Sequence, residues 1–190
     1  ARMTRIARQT REPEDPFYDE MLELIRSTLK DPVIVGDSTK IAYRATLTYR
    51  GSSPRSYFAA GTGFGTLGFA LPAGIGAKIA KPDRPVVVIS GDGGIQFTLP
   101  ELMSAREAKA GIIVIVWNNN GYQEIETSMV DAGIKPVGVT PQAPDFCAIA
   151  KAYGIGSSKP KSLGAFAKAL KMAKASNAPY LIEFDEALAG

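Results

Sequence analysis

The sequence predicts an α/β fold: a parallel sheet with helices on both faces, three layers in α/β/α order. Three observations carry that prediction. Val33-Ile34-Val35, Val86-Val87-Val88-Ile89, Ile112-Ile113-Val114-Ile115-Val116-Trp117 and Tyr180-Leu181-Ile182-Glu183-Phe184 are near-continuous apolar runs, as strands buried on both faces read. Segments with helical spacing separate these runs. The first three runs end in the polar turns 36–39, 91–94 and 118–121. Right-handed crossovers bring such turns to the carboxyl edge of one sheet, where open α/β folds bind ligands.

Asp15 and Pro16 form a cap and first-turn pair, and Phe17, Met21, Leu22, Ile25 and Leu29 recur at helical spacing, so 16–30 is an amphipathic helix. The strand 33–35 then enters the turn Gly36-Asp37-Ser38-Thr39. Residues 40–60 show no period and read as irregular. Leu67 to Ala80 reads as a buried helix behind a Gly-rich loop. After the strand 86–89, Thr98-Leu99-Pro100-Glu101 has capping-box spacing and opens a helix to about Lys109, with Gly111 as its stop. The third strand follows, then helices over 145–153 and 162–175, the second with Leu163, Phe166, Ala167 and Leu170 on its apolar face. The strand 180–184 is last.

The 190 residues carry a net charge of +3, no His and one Cys. Absent His excludes a His-based nucleophile triad, a His zinc site and a His general base. Lone Cys147 excludes internal disulfides and fits a reducing compartment, so a cytoplasmic location is expected. So small a net charge makes no case for nucleic acid. Arg2, Arg5, Arg8 and Arg11 are followed by Glu12, Glu14 and Asp15 rather than by an apolar stretch, so residues 1–15 read as a basic linker or tail, not a secretory signal. The uncharged stretch Ser56–Ala77 is long enough to span a bilayer, but its glycines and Pro72 make it a loop and buried helix, and no membrane is expected.

Two phosphate-binding patterns compete. Gly63-Phe64-Gly65-Thr66-Leu67-Gly68 matches G-x-G-x-x-G, the dinucleotide fingerprint of NAD or FAD domains. That fingerprint needs a good strand before it, and Ser56-Tyr57-Phe58-Ala59-Ala60 is a poor one. The second pattern is Gly91-Asp92-Gly93 and, beyond a helix and a strand, Asn118-Asn119. Asp92, Asn119 and the carbonyl of Gly121 are hard oxygen donors suited to Mg²⁺. Gly91, Gly93 and Gly94 let backbone N–H groups approach an anion, and the helix beginning near Thr98 adds its positive end. Asp-Gly and Asn-Gly are also common turn dipeptides, but two such turns, each after a buried strand at this spacing, point to a metal-bridged diphosphate.

Gly91-Asp92-Gly93, with 24 residues before Asn118-Asn119, resembles the thiamine diphosphate motif of the acetolactate synthase, pyruvate decarboxylase and pyruvate oxidase family. The likeness runs from about Pro16 to Phe184 and includes Gly65-Thr66-Leu67-Gly68-Phe69-Ala70-Leu71-Pro72, similar to that family's loop against the aminopyrimidine. The resemblance implies that residues 16–190 are a C-terminal diphosphate-binding domain using thiamine diphosphate and Mg²⁺. Asp92, Asn119 and the Gly121 carbonyl would be the metal ligands. Gly93, Gly94 and Ile95 would hold the diphosphate, with Gly36, Asp37 and Ser38 on its other side, and Gly91 and Tyr122 would be further cofactor-binding residues. The Gly65 carbonyl would meet the 4′-amino group beside Thr66, and Leu67 would hold the two rings in their bent conformation.

It further implies a 2-oxo acid substrate, a decarboxylase (lyase) or carboligase (transferase) of acetolactate synthase type, and a homodimer or homotetramer. Pyrimidine-binding and middle domains are absent from these residues. The family's essential Glu lies on the first domain of a partner subunit, so no catalytic residue is assigned here and the fragment alone is expected to be inactive. Two departures stand out. Gly94 replaces a Ser found in many relatives, and Ile125 stands where simple decarboxylases place a catalytic carboxylate, flanked by Glu124 and Glu126. A non-catalytic module that kept the fold remains an alternative, as does the dinucleotide domain.

Overall fold

The computed structural model describes residues 15–188. Six parallel strands form one sheet: β1 (Val33–Gly36), β2 (Tyr57–Ala59), β3 (Val86–Gly91), β4 (Ile112–Asn118), β5 (Gly156–Ser158) and β6 (Tyr180–Asp185), in the order β2-β1-β3-β4-β6-β5. Helices α1 (Asp15–Leu29), α2 (Lys40–Thr48) and α8 (Leu163–Ser176) place buried residues in one core. Helices α3 (Ala70–Ala80), α5 (Glu101–Glu107) and α7 (Phe146–Ala152) do so in another. Alternate residues of the central strands divide between them: Val87 and Ile89 enter the first core, Val86 and Val88 the second. This is the three-layer α/β/α arrangement, and it explains why the strands read as unbroken apolar runs.

No helix among the described residues is long and apolar enough to cross a membrane. The arginines at 2, 5, 8 and 11 lie outside the described residues.

The structure departs from the sequence reading in several places. Residues 40–60 are not irregular, since they hold α2 and the edge strand β2. The buried face of α2 is Ile41, Ala42, Arg44 and Ala45, so alanines and a paired cation stand where large apolar residues would have revealed the period. Helix α3 begins at Ala70, not Leu67, because Gly68 has a φ of +83°. It is also less buried than expected, with Ile79 at 63% exposure.

The capping box is absent. Thr98 Oγ1 instead donates to the Gly68 carbonyl at 2.9 Å, and α5 starts after Pro100. Helix α5 is stopped by Lys109 at a φ of +50°, with Ala110 N–H donating to the Ala105 carbonyl at 2.9 Å; Gly111 lies beyond this cap. Residues 92–95 form a one-turn helix, α4 (Asp92–Ile95), in place of an open turn. On the apolar face of α8, Ala169 and Ala173 are buried and Ala167 only partly so. Strand β5 and helix α6 (Gln123–Asp131) were not foreseen; β5 is Gly-Ser-Ser and α6 buries no residue, so neither carries an apolar signal.

Arg44 ties α2 to α1. Its guanidinium donates to Asp15 Oδ2 at 2.8 Å and to both carboxylate oxygens of Asp19, at 2.9 and 2.6 Å. The hydrogen bonds to Asp19 and the nearby negative charges raise the Arg44 pKa further, against the opposing effect of burial. Breaking a buried pair costs much more than breaking a surface pair, because an uncompensated charge remains. Arg44→Ala is therefore expected to lower unfolding free energy by about 3 kcal/mol in urea titrations; a loss below about 1 kcal/mol would mark the pair as equivalent to a surface bridge.

Candidate functional site

Strand order places the site. The chain passes from β1 outward to β2, then back across β1 to β3, so the crossovers part between β1 and β3. At that switch point the carboxyl ends leave a crevice. A cleft of about 330 Å³ lies there, floored by Gly91, Asp92, Gly93 and Gly94 and walled by the segments after β1, β2 and β4.

Asp92, the residue directly after β3, is fully buried. Its Oδ1 accepts the Asn119 N–H at 3.4 Å, while Oδ2 has no hydrogen-bond partner among the described residues. Burial pushes the Asp92 carboxyl above the ordinary carboxylate range, and backbone N–H groups of Asn119, Gly93 and Gly121 offset only part of that shift. A buried carboxylate oxygen without a partner is costly unless a cation meets it.

The two asparagines after β4 separate in role. Asn118 turns inward, donating Nδ2 to Glu183 Oε1 at 2.9 Å and accepting the Asn120 N–H on Oδ1 at 3.0 Å. Asn119 lines the cleft, and its Nδ2 donates to Gln123 Oε1 at 3.1 Å, which turns the amide oxygen away from Gln123. Hard oxygen donors from Asp92 and Asn119 thus share one cleft with Gly121, a set that suits Mg²⁺.

The glycines are shaped by close neighbours. A Cβ at Gly93 would lie 2.4 Å from Tyr122 Cε1, and one at Gly121 would lie 2.7 Å from the Val139 carbonyl oxygen, which already accepts the Tyr122 N–H. Gly94 is different: its nearest neighbours would be Ser90 Oγ at 3.4 Å and Leu67 Cδ2 at 3.5 Å, ordinary contacts.

Of the residues singled out from sequence, Ser38, Gly65, Leu67, Gly91, Asp92, Gly93, Gly94, Asn119, Gly121 and Tyr122 come together around the cleft. Gly36, Asp37, Thr66 and Ile95 do not line it. Gly36 is packed against Ala42 and Tyr57, Ile95 is fully buried, and Thr66 is exposed on its loop. Asp37 is buried, and its oxygens accept the Ser38 N–H at 2.9 Å, the Gly68 N–H at 2.8 Å and the Ser90 hydroxyl at 3.2 Å. It therefore clamps three segments that frame the cleft. The Gly65 carbonyl accepts the Ser38 hydroxyl at 3.3 Å and retains a second lone pair.

Thr39, Lys40, Tyr43 and Gln123 also line the cleft and were missed. The first three belong to α2 and its entry, where Ile41 and Ala45 at i and i+4 were the available signal. Glu124 and Ile125, flagged from sequence, stand at the cleft on α6.

The family model described as "Thiamine pyrophosphate enzyme, C-terminal TPP binding domain" matches residues 35–184. The chain is 36% identical to a probable 2-ketoarginine decarboxylase of Pseudomonas aeruginosa, over 100% of this chain and 34% of that protein. It is 33% identical to a probable acetolactate synthase large subunit of Methanocaldococcus jannaschii, over 86% of this chain and 28% of that one. Among solved structures, a thiamine diphosphate-dependent 4-hydroxybenzoylformate decarboxylase of Rhodococcus jostii superposes with a TM-score of 0.78 at 31% identity, covering 87% of this chain and 32% of its own. The chain thus spans about a third of the length of these relatives. The match is to a thiamine pyrophosphate-binding domain rather than a dinucleotide-binding one.

The glycine environments make a direct test. Gly121→Ala is expected to lower stability by about 1–3 kcal/mol, the usual cost of overpacking, whereas Gly94→Ser should change it by under about 0.5 kcal/mol. Thermal unfolding of both variants checks this, and equal losses would contradict the geometry.

Proposed function

The chain belongs to the thiamine pyrophosphate enzyme family as its C-terminal TPP-binding domain, and on that premise we propose that its cleft holds the cofactor's diphosphate through Mg²⁺ bound by Asp92, Asn119 and the Gly121 carbonyl. The observation that carries this reading is the Asp92 carboxylate, buried at the cleft floor with Oδ2 unpartnered among the described residues. Mg²⁺ takes few protein ligands and completes its octahedron with phosphate oxygens and water, which fits so sparse a donor set.

Around the ion, the residues of this chain bind and orient. Gly93 and Gly94, which carry no Cβ, offer backbone to the diphosphate, with Ile95 buried behind them. Tyr122, packed on Gly93, closes one side. Ser38 faces it from the end of β1 while Gly36 and Asp37 act from behind, Asp37 by holding the Gly68 loop and Ser90 in register. Leu67 supports the cofactor's rings, and the Gly65 carbonyl, beside Thr66, meets its amino group. When bound, thiamine diphosphate supplies the carbanion chemistry that releases CO₂ from a 2-oxo acid.

The whole protein is read as a 2-oxo acid decarboxylase or carboligase, a lyase or transferase. Similarity along the full chain to a protein named for a 2-oxo acid with a guanidinium tail, together with the exposed Glu124 at the cleft, favours a substrate whose far end is cationic. Ile125 beside it has no titratable proton to give, so a proton donor must come from elsewhere.

The residues from Asp15, the first of α1, onward are read as one diphosphate-binding domain, in a cytoplasmic enzyme whose other domains and second subunit complete the cleft. Exposed apolar side chains at Ile125, Val130, Ile134 and Val137, along α6 and the segment after it, are the surface such partners would cover, in a homodimer or homotetramer.

The Asp92→Asn variant separates stability from binding. Because burial disfavours the charged form, removing the charge should leave the metal-free protein as stable or more stable at neutral pH, while Mg²⁺-dependent binding of thiamine diphosphate disappears. In the unsubstituted protein, the proton competes with the metal at higher pH than at a solvated carboxylate, so affinity falls as pH drops through that raised pKa. Calorimetry across pH, paired with melting curves, checks both; undiminished metal-dependent binding by Asp92→Asn would exclude Asp92 as a ligand.

A further inference from the structure

A second polar cluster lies behind the cleft rather than in it. Glu183, on β6, is 2% exposed. Its Oε1 accepts Asn118 Nδ2 at 2.9 Å and Lys159 Nζ at 2.6 Å. Asn118, at the end of the neighbouring strand β4, uses its other side-chain atom to accept the Asn120 N–H at 3.0 Å. Asn120 has a φ of +59°, a left-handed conformation that a non-glycine residue holds only at a cost. Asn119 is enclosed between these two anchors, and its N–H points to Asp92 Oδ1 at 3.4 Å.

Packing alone does not call for a carboxylate at this position. Leu181, two residues before it on the same face of β6, is fully buried and apolar, and hydrocarbon at 183 would avoid the desolvation cost of a buried charge. Lys159, whose pKa is raised mainly by its hydrogen bond to Glu183, offsets part of that cost from a half-exposed position. What the carboxylate adds is a fixed acceptor for the Asn118 amide. With Nδ2 bound there, Oδ1 is aimed at the Asn120 N–H, and the turn through 118–121 has one geometry.

We infer that Glu183 is a positioning residue for the metal loop, acting through Asn118 on Asn120 and so holding Asn119 and Gly121 at the cleft. This rests on the metal reading proposed above. Groups that orient first ligands typically alter metal affinity about 10–100-fold when removed.

The test uses the whole protein as its gene encodes it, titrated with thiamine diphosphate at a series of Mg²⁺ concentrations, with melting curves alongside. Glu183→Ala is expected to raise the Mg²⁺ concentration for half-saturation about tenfold or more, whereas Glu183→Gln, which keeps an acceptor for Asn118, should raise it less than about threefold. Phe166→Leu, a core change on the buried face of α8, is the stability control and should lower the melting temperature without moving the Mg²⁺ dependence. If Glu183→Ala does not fold, Asn118→Ala reads the same link and is expected to show the same rise. Unchanged Mg²⁺ dependence in a folded Glu183→Ala or Asn118→Ala, or an equal shift in Phe166→Leu, would overturn the inference while leaving the metal reading intact. Unsubstituted protein that binds thiamine diphosphate equally well without Mg²⁺ would overturn both.

Discussion

In-register parallel pairing of β1, β3 and β4 is the constraint on which the rest of the structure depends. Gly36 pairs with Ile89 and Gly91 with Trp117, so the three carboxyl ends finish within a few residues of one another. Chain direction then sends every following segment to the same edge, and the reversal of strand order between β1 and β3 opens the crevice there. A slip of one residue would exchange the faces of β3, sending Val87 and Ile89 toward the wrong core. The two cores therefore fix the position of Asp92 as firmly as any contact in the cleft does.

Around that edge the polar groups divide into those that build the cleft and those that face into it. Asp37 and Asn118 are buried with a hydrogen-bond partner at every side-chain polar atom, and each holds loops in place. Asp92 is buried and, among the described residues, left with one oxygen unpartnered. The difference matters because a buried carboxylate with its bonds made is structural, whereas one with a bond to spare stores free energy that a cation can release. Similar residue types thus serve opposite ends, and only their hydrogen-bond partners distinguish them.

Much of the fold was legible because its central strands are buried on both faces and carry apolar side chains at nearly every position. The helix α1 was legible for the complementary reason, a single stripe of Met21, Leu22, Ile25 and Leu29. What stayed hidden lacked those signals. Helix α2 buries alanines and Arg44, α6 buries nothing, and β5 is Gly156-Ser157-Ser158. Spacing marks Thr98 as a cap but cannot tell which acceptor a hydroxyl will choose, and the hydroxyl donates to the Gly68 carbonyl.

The site was legible as a set of glycines, Asp92 and Asn119 at strand ends, but the cleft walls from α2 were not, nor was the inward turn of Asn118. The proposed diphosphate site would be assembled by a metal at Asp92. Calorimetric titration of the whole protein with thiamine diphosphate, in Mg²⁺ and then in excess EDTA, tests it most directly. Heat of binding that is present with Mg²⁺ and abolished by EDTA is the predicted result. Binding that EDTA leaves undiminished, or no binding in either condition, would contradict the account.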